Sequence, residues 1–139
     1  MVSPVATYVT AWMDAVRRSE FRPGVYCSGI EVDEGQGKMI STADDIHARE
    51  PEAALWVAND VCPPAPGCAA PKKLRMEDLG RSDALVWQYA QSPRRKQFTQ
   101  QCAATYAADG NCYVPGAPRT EQTAVDLNLS NSADPSKGR

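Results

Sequence analysis

Four short apolar runs constrain this chain more than any other feature: Val25-Tyr26-Cys27-Ser28, Ala53-Ala54-Leu55-Trp56-Val57-Ala58, residues 85–89, and Ala124-Val125-Asp126-Leu127-Asn128-Leu129. They read as strands, the second being apolar at nearly every position. Strands apolar on both faces, separated by helices or long crossovers, imply a parallel sheet covered on both sides. The chain between them fits that pattern. Val5, Tyr8, Val9, Trp12, Met13 and Val16 fall on one helical face. Ser3 suits the N-cap and Pro4 the first turn, and the helix should stop near Arg18. Residues 30–38 form an acidic, glycine-bearing loop. Thr42 is the expected cap of a short helix over 43–49, and residues 76–79 suit a helical turn. Residues 93–115 fit either a short helix or a hairpin around Asp109-Gly110. No internal repeat is present, and the tail over 130–139 is polar and irregular.

Each run ends among polar side chains: Ser28, then Asn59 and Asp60, then Gln88 and Tyr89, then Asp126 and Asn128. In parallel α/β folds the carboxyl ends of strands carry the site. The plainer alternative is strand termini meeting solvent.

The chain has 139 residues, enough for a single domain, and 42% are hydrophobic, as in globular proteins. Its 15 basic and 17 acidic residues balance to a net charge of -2, which does not fit a general binder of nucleic acid or membranes. No apolar run approaches the roughly 20 residues of a membrane helix. The first residues carry no basic region and Asp14 interrupts the apolar pattern, so a signal peptide is not expected.

Five cysteines point elsewhere. Cys62 and Cys68 bracket a Pro-rich loop, and Cys102 and Cys112 bracket the segment with Asp109-Gly110. Bridging each pair leaves Cys27 over as a buried structural thiol and favours an oxidising compartment. Free, buried thiols in a reducing compartment are the alternative. Zinc is disfavoured by the spacings and by the single His, and no metal or cofactor is expected. Cysteines that suggest export, in a chain without an export signal, suggest the tail of a longer protein.

In order, Gly24-Val25-Tyr26-Cys27-Ser28-Gly29, Leu55-Trp56-Val57-Ala58, Val86-Trp87-Gln88-Tyr89 and Val125-Asp126-Leu127-Asn128 resemble the last four strands of glycoside hydrolase family 25 lysozymes. The closer likeness is to the glycoside-hydrolase-like domain family whose founding member is an exported mycobacterial protein. Asp109-Gly110-Asn111-Cys112-Tyr113 and the closing Asp134-Pro135-Ser136-Lys137-Gly138-Arg139 look similar too. The resemblance spans nearly the whole chain. It implies an α/β fold: the C-terminal half of a (β/α)8 TIM-type barrel, mainly parallel, from a family that typically runs to about 200 residues or more. It also implies an extracytoplasmic parent protein.

The main acids of those lysozymes lie on the first strand and in an Asp-x-Glu motif on the fourth, neither of which is here. By the resemblance, Asp126 is a supporting acid on the last strand. Trp87, Gln88 and Tyr89 lie near the sugar groove, and Tyr26 and Trp56 line the barrel or its mouth. Aromatic faces suit sugar rings, and Gln or Asn128 suits hydroxyls. Glycoside hydrolysis needs two carboxyl groups, about 5 to 9.5 Å apart. Asp60 is the best-placed partner for Asp126, ahead of Glu31, Asp33 and Glu34. The expectation is a chain that binds or acts on peptidoglycan-type glycan without hydrolysing it alone. A carbohydrate-binding or cell-envelope interaction module is the alternative. A half-barrel also leaves open edges and an uncovered apolar face, so self-association is a third reading. His47 reads as a surface histidine and Arg94-Arg95-Lys96 as a solvated loop. No Ser/His/Asp arrangement, GxGxxG or P-loop is present.

Overall fold

The computed structural model describes residues 3–33, 35, 37–61, 73–118 and 123–135. Cys62, Cys68, Glu34 and residues 136–139 lie outside them, as do the side chains of Ser3 and Pro4. The elements are α1 (Ser3–Arg18), β1 (Gly24–Ser28), β2 (Val32–Asp33), β3 (Met39–Ile40), α2 (Thr42–Arg49) and β4 (Ala54–Ala58). A 3-10 turn at Met76–Leu79, β5 (Ala84–Ala90), a second at Lys96–Phe98 and β6 (Leu127–Ser130) follow. The fold is mixed α/β, and four strands form one mostly parallel sheet in the order β1-β4-β5-β6. The short strands β2 and β3 pair antiparallel with each other.

β1 and β4 are parallel, in register from Gly24 opposite Ala54 to Ser28 opposite Ala58. The register puts Cys27 and Val57 on one face with Leu55, and all three are buried. Tyr26 and Trp56 share the other face. They are 54% and 41% exposed, so the expected cover on both sides is absent for this pair. The last strand runs against β5. Ser130 Oγ, at its end, bonds Leu85 O at 3.2 Å, while Asp126, just before its start, meets Gln88 and Ser92 near the end of β5. Asp126 therefore reaches the carboxyl end of β5 from ahead of β6, not from within a parallel strand.

The chain divides into two compact units. The first comprises Met1–Ala58, Arg81–Val86 and Ser130–Arg139. Its helix α1 buries Ala6 and Met13, with Val9 and Val16 half-buried beside them. Val5, Tyr8 and Trp12 stay exposed. The apolar stripe read from the sequence is thus wider than the line that packs. Ser41, not Thr42, caps α2, its side chain accepting from Asp44 N–H at 3.2 Å. Ala43 and Ile46 are the buried side of α2, which packs on β1. Arg17 joins α1 to the nearly buried Glu50, Nη2 to Oε2 at 2.6 Å.

The second unit comprises Asn59–Gly80 and Trp87–Leu129. Its core is Ala90, Phe98, Cys102, Tyr106, Cys112 and Leu127, with Val61, Tyr89 and Val125 packed against it. The Phe98 and Tyr106 rings are tilted at 56° with centroids 5.4 Å apart. No hairpin forms at Asp109-Gly110. A turn closes there instead, with Ala107 N–H donating to Asn111 O at 2.9 Å and Asp109 Oδ1 accepting from Asn111 N–H at 3.0 Å. The expected Cys102–Cys112 bridge is also absent. Cys112 is a free thiol and Cys102 is disulfide-bonded. A sulfur makes one such bond, and that of Cys102 goes to neither Cys27 nor Cys112. Beyond β6 the described tail is irregular, held by Ser130 and Ser132 hydroxyls that accept from N–H groups two residues on.

Candidate functional site

The polar strand ends of the second unit converge on Asp126. Gln88 is 4% exposed, and its Nε2 donates to Asp126 Oδ2 at 2.7 Å. Ser92 N–H donates to Asp126 Oδ1 at 2.8 Å, and Ser92 Oγ–H donates to Val125 O at 2.9 Å. Gln91 Nε2 in turn donates to Gln88 Oε1 at 3.1 Å. An exposed carboxylate is thus held by donors on both oxygens, one of them backed by a second amide. Such donors fix the direction of the carboxylate.

Asp60 sits differently. It follows the β4 end, and its Oδ1 is sealed from solvent with no hydrogen-bond partner. Burial raises its pKa above the ordinary carboxylate value, and the charge of Asp126 adds to that. Arg95 and the Tyr106 hydroxyl oppose it without cancelling it. Tyr106 is itself buried, its hydroxyl accepting from Gln91 N–H at 3.1 Å. Cys112, also buried here, has its thiol pushed up to about 11, chiefly by desolvation. Asp126 is thus exposed with donors on both oxygens, whereas burial inclines Asp60 to keep its proton.

A raised carboxyl pKa has a defined linkage. The folded state holds the Asp60 proton more tightly than the unfolded chain, so this site's contribution is fully present below about pH 3.9 and lost as pH rises through the folded value. Asp60→Asn is expected to stabilise the protein at neutral pH, with the advantage shrinking to nothing near about pH 3. Urea midpoints of both proteins across that range test it. A constant offset at every pH would show that Asp60 is not the titrating group.

Trp87 is 3% exposed, so its ring is closed to a sugar; its Nε1–H donates to Asn59 O at 2.7 Å. Asn59 N–H donates to Gln88 O at 3.1 Å, which fixes the turn that delivers Asp60. Tyr89 lies edge-on to Trp87 at 6.0 Å and packs against the core. Asn128 is exposed, its Nδ2 donating to Asp126 O at 3.4 Å. The first unit holds Tyr26 and Trp56, which meet edge to face at 5.4 Å and 79°. Ser28 Oγ accepts from Ile30 N–H and Asp33 Oδ1 from Gly35 N–H, both serving turns. Glu31 and Asp33 belong to that unit and not to the one holding Asp126.

His47 is exposed on α2, as the sequence suggests, with its Nδ1 3.5 Å from Asp83 Oδ2. Asp83 also takes Arg81 through two bonds, at 3.0 and 2.6 Å, and Arg81 reaches on to Asp44. Cys27 faces these charges from the buried side, and desolvation raises its thiol to about 11. Among the described residues no cluster of His, Cys, Asp and Glu suits a metal, and no helix is long and apolar enough to cross a membrane.

Gln91, Ser92, Arg95 and Tyr106 are site residues that sequence reasoning missed. They lie in a segment without periodicity, and Arg95 reads there as part of a solvated basic run. In the fold Arg95 is half-buried, and its Nη2 donates to Gln91 Oε1 at 2.9 Å. No family model, curated protein or solved structure matches the chain.

Proposed function

We propose that the chain binds glycan of the bacterial cell-wall type at the Asp126 cluster, as the C-terminal half of a glycoside-hydrolase-like (β/α)8 barrel from an exported protein. The observation that carries the reading is Asp126 itself, an exposed carboxylate aimed by Gln88 and Ser92. A rigid acceptor of this kind bonds sugar hydroxyls without first having to be ordered. Asn128 beside it adds an amide. The buried Trp87 and Gln88 act as scaffold, not as contacts.

The chain alone is not a hydrolase in this reading. Asp126 has both oxygens engaged by donors, and the sealed Oδ1 of Asp60 offers no open path for a proton. Titration of a soluble cell-wall oligosaccharide into the protein tests the reading by calorimetry. Asp126→Ala is expected to weaken binding by about tenfold or more, the loss of hydrogen bonds to a charged acceptor.

A second reading is favoured by the open face of β1 and β4, where Tyr26 and Trp56 form an aromatic surface that suits a sugar ring or a second copy of the chain. The same titration separates the two sites. Binding that survives Asp126→Ala and is lost in Trp56→Ala places the sugar on the aromatic face.

A further inference from the structure

Arg95 is the basic side chain that acts on Asp60 in the Asp126 cluster. Arg17, Arg75 and Arg81 each form an ion pair with a carboxylate. Arg95 forms none among the described residues, although both Asp60 and Asp126 belong to its cluster. Its guanidinium is held by a neutral partner, Gln91 Oε1 at 2.9 Å. Its backbone is fixed as well, Arg95 N–H donating to Gly110 O at 2.5 Å and Arg94 N–H to Asn111 Oδ1 at 2.8 Å. A guanidinium carries five donors in a planar fork that matches a carboxylate. Among the described residues only Gln91 meets that fork, and Arg95 is half-buried.

We propose that Arg95 is the contact for a carboxylate carried by the ligand, so that the glycan recognised is an acidic saccharide. The inference rests on the glycan reading and names its substrate class. A ligand carboxylate competes with Asp60 for the field of Arg95. With Asp126 and Asp60 both ionised, the cluster carries one positive charge against two negative, and an incoming anion is repelled. Asp60 has a buried oxygen that no donor supports, so it is the group that takes up a proton when the anion arrives. The groups facing Asp60 are Arg95, Tyr106, Asp126 and Cys112. Binding of an acidic saccharide therefore strengthens as pH falls, while binding of a neutral one does not.

The test compares two disaccharides that differ by one lactyl carboxylate: N-acetylglucosamine linked to N-acetylmuramic acid, and the N-acetylglucosamine dimer. Both are titrated calorimetrically at about pH 5 and about pH 7. The acidic sugar is expected to bind about tenfold tighter than the neutral one, the worth of a charge-assisted pair. The margin should be wider at the lower pH, vanish in Arg95→Gln and be partly restored in Arg95→Lys. Equal affinity of the wild-type protein for the two sugars overturns the proposal and needs no variant to fold. So does an Arg95→Gln variant that weakens both sugars alike. If neither sugar binds, the glycan reading falls, and millimolar lactate decides the Arg95 contact by itself. A lactate-induced NMR shift at the Arg95 side chain supports the contact, and no shift overturns it.

Discussion

Phe98→Ala is expected to destabilise the protein by about 3–5 kcal/mol, the usual cost of emptying an aromatic site in a closed core. Phe98 is fully buried, packs against Tyr106 at 5.4 Å, and belongs to the buried apolar cluster of the second unit. It is also the anchor of the 3-10 turn at Lys96–Phe98, its carbonyl accepting from Cys102 N–H at 2.8 Å. Removing the ring leaves a void bounded by Tyr106, whose hydroxyl holds Gln91. The loss should therefore appear both in the urea midpoint and in the Asp126 site. A change below about 1 kcal/mol would mean that the cluster collapses around the void and is not close-packed.

Gly110→Ala should come second, at about 2–4 kcal/mol, because two penalties coincide. Gly110 has φ +83°, where a side chain is strained by about 1–2 kcal/mol. A Cβ there would also sit 2.8 Å from Lys96 N, 2.9 Å from Arg94 C and 3.0 Å from Arg94 Cα, all main-chain atoms. The backbone of Arg94 and Lys96 must then move, and Arg95 lies between them. Chemical denaturation gives the stability, and the acidic-over-neutral sugar preference proposed for Arg95 should fall with its displacement. Gly37→Ala is the internal comparison, since its φ is +73° but nothing lies within 4 Å. If the two variants lose the same stability, the close approach at Gly110 contributes nothing.

The residues that carry the site were visible to different degrees. Asp126 and Asp60 stand out in the sequence because each lies beside an apolar run. Gln88 stands out for the same reason, though it is buried and donates to Asp126. Trp87 reads as a groove aromatic and is in fact buried, since a Trp on a strand looks the same from either side of the sheet. Ser92, Gln91, Arg95 and Tyr106 could not be picked out. Turns and short 3-10 segments have no period to betray which side faces inward.

The helix over 3–18, the strand at 54–58 and the polar residues that close each strand follow from the chain alone, because each rests on spacing or propensity within a few residues. The parallel pairing of β1 and β4 follows nearly as directly, from runs apolar along their length and joined by a helix. The direction of β6, the open Tyr26–Trp56 face, the unbridged Cys112 and the pairing of Gln88 with Asp126 came only with the tertiary structure. Gln88 and Asp126 are 38 positions apart, and Trp87 and Asn59 are 28 apart. Contacts at such separations depend on how the whole sheet closes and which way its last strand runs, and no local pattern encodes either.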